Sequence, residues 1–146
     1  MLINVDVKSL EVVVAAELSQ DPILKKEIID KLDLHSDNQR RFNLPDRLTA
    51  KRFIFKLLYG ATAYGYEVDP DFFSVGFGQK DWQRIIDEFY TKYKGIKAWH
   101  DRLLKIVMET GFIEIPSGRF YEYTPKKNFR GETKWPLTTI KNYPVN

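Results

Sequence analysis

Pro45, Asp46 and Gly60 bracket the segment that most limits what this chain can fold into. Proline breaks any helix entering from upstream, Asp is a favoured N-cap, and Gly supplies the left-handed residue at which helices end. The spacing therefore predicts a helix from Arg47 to Tyr59, capped by Asp46 and stopped at Gly60. On it Arg47, Lys51, Phe55 and Tyr59 stand four residues apart, so successive members drift by about 40° and form one slanting stripe. Cations pair with phosphate and aromatic rings stack on a base or sugar, so the stripe suits a nucleoside triphosphate. The same spacing also describes an ordinary amphipathic helix with Arg47 and Lys51 in solvent and the two rings at its edge. Leu48, Ile54, Leu57 and Leu58 are expected to face the core.

Upstream, Leu2 to Val7 is short, aliphatic and β-branched, which predicts a buried strand. Asp6 sits inside it. A carboxylate there must be hydrogen-bonded, paired or metal-bound, and a strand-end Asp that caps the next helix meets that demand as well as a cation does. Glu11 follows just past the turn and can face the same pocket. A hard cation such as Mg²⁺ takes few carboxylates and lets substrate phosphates complete its shell. From Ser9 as N-cap, Leu10, Val13, Val14 and Leu18 recur at helical spacing until Ser19-Gln20-Asp21-Pro22 ends the run.

Ile23 to Lys31 resumes a helical pattern, while Asp33 to Phe42 is polar enough to be a short helix or a loop. Gly65 to Gly78 carries Asp69-Pro70-Asp71 and Gly76-Phe77-Gly78, turn chemistry that predicts an irregular excursion. Two amphipathic helices follow, Gln79 to Tyr93 and Ile96 to Thr110, split at Lys94-Gly95. Phe112 to Ile115 and Phe120 to Tyr123 read as a β-hairpin across Pro116-Ser117-Gly118-Arg119. After Pro125 the chain turns basic through Lys126, Lys127, Arg130 and Lys134, charges that suit a DNA backbone or a solvated loop alike.

With 146 residues and 43% hydrophobic content the chain has enough apolar surface for one core. Lys and Arg total 23 against 20 acids, a formal charge of +3, too small to identify a nucleic-acid partner by itself. The absence of cysteine excludes a disulfide framework and thiolate metal sites, and is compatible with a reducing cytoplasm. Met1 to Asp6 reaches an acid too soon to read as a signal peptide, and no apolar run approaches about 20 residues. The expectation is a cytoplasmic protein without a membrane partner.

Two blocks resemble motifs of the family A DNA polymerases of bacterial and phage type. Asp6-Val7-Lys8-Ser9-Leu10-Glu11 through Leu18-Ser19-Gln20-Asp21 resembles motif A, and Arg47-x-x-x-Lys51-x-x-x-Phe55-x-x-x-Tyr59-Gly60 resembles motif B. Asp33-Leu34-His35 lies between them where the family often has Asp-Ile-His, and the tail Asn142-Tyr143-Pro144-Val145-Asn146 is similar to an Asn-x-Pro-x-Gln segment. The resemblance implies that Asp6, with the main-chain carbonyl of Val7, ligates Mg²⁺, and that Asp6 and Lys51 are catalytic. It implies that Arg47, Lys51 and His35 meet the phosphates of the incoming dNTP, that Phe55 packs on its sugar or base, and that Glu11 gates out the ribose 2′-hydroxyl. Tyr59, Gly60, Asn142 and Asn146 would meet the primer-template DNA.

Val7-Lys8-Ser9 replaces the family's usual Tyr-Ser-Gln, Val13 stands where many members carry Arg, and Asn146 where Gln is usual. Motif C, a His-Asp-Glu turn that supplies a second metal-binding Asp, is not found, nor are the thumb and exonuclease regions. The expectation is a piece of a split DNA polymerase, with other fragments carrying motif C and the thumb; a non-catalytic nucleotide- or DNA-binding remnant is the alternative. The expected fold is α+β: a partial antiparallel palm sheet with residues 1–21, a mainly helical fingers subdomain over 22–110, and a C-terminal β-hairpin returning to the palm over 111–146.

Overall fold

The computed structural model describes residues 10–145. The strand expected over residues 2–7, with Asp6 and Val7, lies outside the described residues, as does Asn146. In chain order the elements are α1 (Leu10–Ser19), α2 (Pro22–Ile29), α3 (Leu34–Phe42), α4 (Arg47–Leu58), α5 (Ala63–Glu67), a 3₁₀ turn (Pro70–Val75), α6 (Gln79–Lys92) and α7 (Lys94–Thr110). Two antiparallel hairpins follow, β1 (Phe112–Glu114) with β2 (Phe120–Glu122) and β3 (Lys126–Lys127) with β4 (Thr133–Lys134), and then α8 (Leu137–Asn142). The architecture is α+β, mostly helical with two small strand pairs. No helix among the described residues is long and apolar enough to cross a membrane.

Local chemistry explains most of the boundaries. Asp46 caps α4 by accepting from the Thr49 N–H at 2.8 Å and its hydroxyl at 2.9 Å, and Gly60 follows with φ 84°. Asp21 caps α2 ahead of Pro22. Asp33 caps α3, which is a helix and not a loop, and Asn43 closes it in the left-handed region. The stretch expected to be irregular holds the short α5 and the 3₁₀ turn, each started by a side-chain cap, Thr62 and Asp69. The break between α6 and α7 falls at Tyr93, so Lys94 and Gly95 open the second helix. The basic tail is also more ordered than its composition suggests, since it forms the second hairpin and α8.

The core is aromatic. Phe53 of α4 meets Trp82 of α6 with rings stacked at 6.1 Å, and Tyr66 lies between α4 and Trp82, its hydroxyl donating to the Phe53 carbonyl at 2.7 Å. Phe42, Phe72 and Phe89 close the cluster edge-on. Beside it runs a polar seam. Lys92, with its side chain 9% exposed, pairs with Glu27 at 3.0 Å and Asp37 at 2.9 Å, and the Tyr93 hydroxyl donates to Glu27 at 2.7 Å. This seam fastens α2 and α3 to the end of α6, and its buried charges persist because each has a partner.

One expected core assignment is corrected. Leu48 is 55% exposed, because α4 buries the face formed by Ala50, Phe53, Ile54 and Leu57, from which Leu48 points away. On α1 the buried positions are Val12, Ala15, Ala16 and Ser19, whereas Leu10 and Val13 are exposed. That helix is apolar on nearly every side, so periodicity could not choose its inner face.

Candidate nucleotide site

The outer face of α4 carries the four stripe residues. Arg47 and Lys51 are exposed, Phe55 and Tyr59 half-buried, so the cationic end is wet and the aromatic end is seated in the fold. The Lys51 ammonium lies 5.6 Å from the centre of the Phe55 ring. His35, in the first turn of α3, is buried with its ring centre 5.9 Å from that of Phe55. One aromatic ring is thus held between a buried imidazole and an exposed cation, its remaining surface available to a ligand.

Arg47 has a partner that its spacing did not reveal. Its Nε and Nη2 donate to the two Asp33 carboxylate oxygens at 2.8 and 3.0 Å. Asp33 also accepts from the Ser36 N–H and hydroxyl, and these bonds, the Arg47 contact first, hold its carboxyl well below the usual carboxylate range. A guanidinium has five donors, so the Nη1 corner of Arg47 remains for a phosphate while Asp33 fixes the plane of the group. The sequence marked Asp33 only through its place before His35; a contact between residues 14 apart on two helices has no periodic signal.

Glu11 lies in the first turn of α1, close enough to Tyr59 that its charge, added to the larger effect of burial, raises the phenol pKa. The structure therefore brings Glu11 to the aromatic end of the stripe. Gly60, directly after Tyr59, is buried against α8: a Cβ there would stand 2.9 Å from the Lys141 Cδ and 3.2 Å from the Thr138 Cα. Asn142 ends α8, half-buried. Gly60 is thus required by its positive φ and by the approach of a second helix. Gly60→Ala is expected to lower stability by about 2 kcal/mol, seen as an earlier urea midpoint; an unchanged midpoint would show that α8 does not hold this position.

Beneath α8 lies His100 of α7, 1% exposed, with Nδ1 at 3.0 Å from the Tyr90 hydroxyl. Burial first, and the Lys141 charge second, push its pKa down to about 3. The imidazole is neutral and structural at ordinary pH.

The residues expected to hold Mg²⁺, Asp6 and the Val7 carbonyl, lie outside the described residues. Among the described residues no group of three or more His, Asp or Glu side chains could hold a metal ion. A carboxylate and a carbonyl are both oxygen donors, the set a hard cation takes.

Comparison with known proteins bears on the family and the fold. The sequence model for DNA polymerase family A matches residues 1–134. DNA polymerase I of Pseudomonas aeruginosa is 29% identical over 126 residues, covering 81% of this chain and 13% of its own length. DNA polymerase I of Aquifex aeolicus is 26% identical over 121 residues, 75% of this chain and 21% of its own. The chain thus spans less than a quarter of the length of either relative. In fold it matches the POL domain of Pol1 from M. smegmatis, solved with DNA primer-template and dNTP, at a TM-score of 0.70 and 18% identity over 95% of this chain and 24% of that one. Carrying the motif B stripe on a capped helix, and matched by the family's sequence model over nearly all its length, the chain belongs to the family A DNA polymerases.

Proposed function

We propose that this chain forms the incoming-nucleotide face of a DNA-directed DNA polymerase, its helices α2 to α7 acting as fingers. The observation that carries the reading is the outer face of α4, where exposed Arg47 and Lys51 lead into Phe55, itself braced by His35. Lys51 and Arg47 bind the triphosphate, Arg47 through the corner that Asp33 leaves open. His35 lies on the β-phosphate side, and Phe55 packs on the sugar or base. Tyr59 guards the templating base, and Glu11 beside it excludes the ribose 2′-hydroxyl. Gly60, Asn142 and Asn146 follow the primer-template.

Asp6 and the Val7 carbonyl are the residues that would hold Mg²⁺, which when bound neutralises phosphate charge and aligns an in-line displacement. This chain's own part is to place the triphosphate and balance its charge. The second carboxylate of the metal site and the thumb come, in this proposal, from other polypeptide in a split enzyme.

Primer extension by the assembled polymerase tests the reading. Lys51→Ala is expected to lower kcat/KM for dNTP by about a hundredfold, the scale of losing one charge stabiliser aimed at a reacting phosphate, with Lys51→Arg recovering part of it. Normal kinetics in the alanine variant would sink the assignment of α4 as the nucleotide helix.

A further inference from the structure

The hairpin of β3 and β4 has no part in the nucleotide grip of α4, yet its construction is specific. Lys126, Lys127, Arg130 and Lys134 against Glu132 give residues 126–134 a net charge of +3, equal to the formal charge of the whole chain. The rest of the molecule is therefore neutral in sum. All four cations are exposed, and none has an ion-pair partner among the described residues. Glu132 instead accepts from the Asn128 side chain at 2.7 Å.

At the apex stands Phe129, 92% exposed. An isolated exposed aromatic is common on a loose loop, but this loop is tied down. The Asn128 side-chain carbonyl accepts from the Arg130 N–H at 2.9 Å and the Glu132 N–H at 3.0 Å, its backbone carbonyl accepts from the Gly131 N–H at 2.9 Å, and Gly131 takes φ 77°. These bonds define a tight turn with Phe129 and Arg130 at its crown. The Arg130 guanidinium lies 5.2 Å from the Phe129 ring centre. Lys126 and Lys134 pair directly across the ladder and share one face, with Lys127 on the other.

A ring presented to water by a defined turn at the head of a cationic ladder matches one ligand chemistry closely: a base for the ring and a sugar-phosphate chain for the cations. A paired base shows its faces to its neighbours in the stack, so the ring has access to bases in an unpaired strand. We propose that this hairpin is a binding site for single-stranded nucleic acid, Phe129 stacking on an unpaired base and Lys126, Lys134 and Arg130 meeting the adjoining phosphates. It is a second contact, separate from the nucleotide site, and its chemistry does not depend on that site.

The test is anisotropy of a labelled oligodeoxythymidylate of about ten nucleotides, a length within the usual site size, titrated with the 146-residue chain at several salt concentrations. Phe129→Ala is expected to weaken binding about tenfold and to leave binding to a duplex of the same length unchanged. Phe129→Trp should keep the affinity and show quenched fluorescence on binding. The double variant Lys126→Ala, Lys134→Ala should flatten the slope of log affinity against log salt by about 1.4, two phosphates at about 0.7 each for a single strand. Circular dichroism confirms that each variant is folded. Equal affinity of Phe129→Ala and the parent for the single strand, an equal loss on duplex, or no binding by the parent would each overturn the proposal.

Discussion

Asp21→Ala is expected to remove about 3 kcal/mol of folding stability, a large loss for a single polar side chain. Asp21 is 1% exposed and serves two helices. Its Oδ1 accepts from the N–H groups of Ile23 at 3.0 Å and Leu24 at 2.9 Å, which caps α2, and its Oδ2 accepts from the Gly95 N–H at 2.7 Å in the first turn of α7. Two helix N-termini thus direct their positive ends at one carboxylate. Removing it costs about 1 kcal/mol for the cap and about 2 kcal/mol more for leaving the Gly95 N–H without a partner in a part-buried position. Asp21→Asn keeps the cap but sets an amide against the Gly95 donor, so its loss should be roughly half. Gly95→Ala tests the other side, because a Cβ there would lie 2.6 Å from the Asp21 Cα. Urea unfolding measures all three; a loss below about 1 kcal/mol for Asp21→Ala would mean that the clamp is dispensable.

Acid should undo the fold through His100. Its pKa is depressed from the ordinary 6.5 to about 3 in the native state, so the unfolded chain binds a proton that the folded chain refuses. The contribution is fully present above pH 6.5 and is lost as pH falls from there toward 3, at about 1.4 kcal/mol per unit. By pH 4.5 the loss is about 2.7 kcal/mol, a large part of an ordinary domain's stability. The groups facing His100 are Tyr90 from α6, Asp101 and Lys97 from α7, and Lys141 from α8. Of these, Lys141 adds its positive charge to the burial that already disfavours the imidazolium. Urea midpoints at pH 7 and pH 4.5 check the effect. His100→Gln, which keeps a hydrogen-bonding partner for Tyr90, should show a much shallower pH dependence, and parallel profiles for parent and variant would remove His100 as the cause.

Much of the candidate site could be read from residue order because it lies along one helix. A period of four on α4 put Arg47, Lys51, Phe55 and Tyr59 on one line, and Asp46 and Gly60 fixed where that line begins and ends. What escaped was interaction between elements. The segment 33–42 looked too polar to commit to a helix, yet His35 and Asn38 are buried in it, and Asn38 donates to the Tyr93 hydroxyl 55 residues away. The fold of α8 rests on Gly60 and α7, so its six residues carry little signal alone. Leu48 was assigned inward because it is apolar, but the face of α4 was already decided by Phe53 meeting Trp82 and Phe89 of α6, with Leu57 buried on the same face.

The polar seam around Lys92 also bears on the order in which the polypeptide matures. Glu27 and Asp37 both wait for Lys92, and Asn38 waits for Tyr93, partners that follow 55 to 66 residues later. At about 5–20 residues per second, a ribosome makes that length in roughly 3–13 s. During that interval the carboxylates and amide of residues 22–42 face water, and the segment cannot dock as it does in the finished molecule. The amino-terminal third should therefore stay open to proteases and chaperones on the ribosome until α6 emerges and closes the seam in one step.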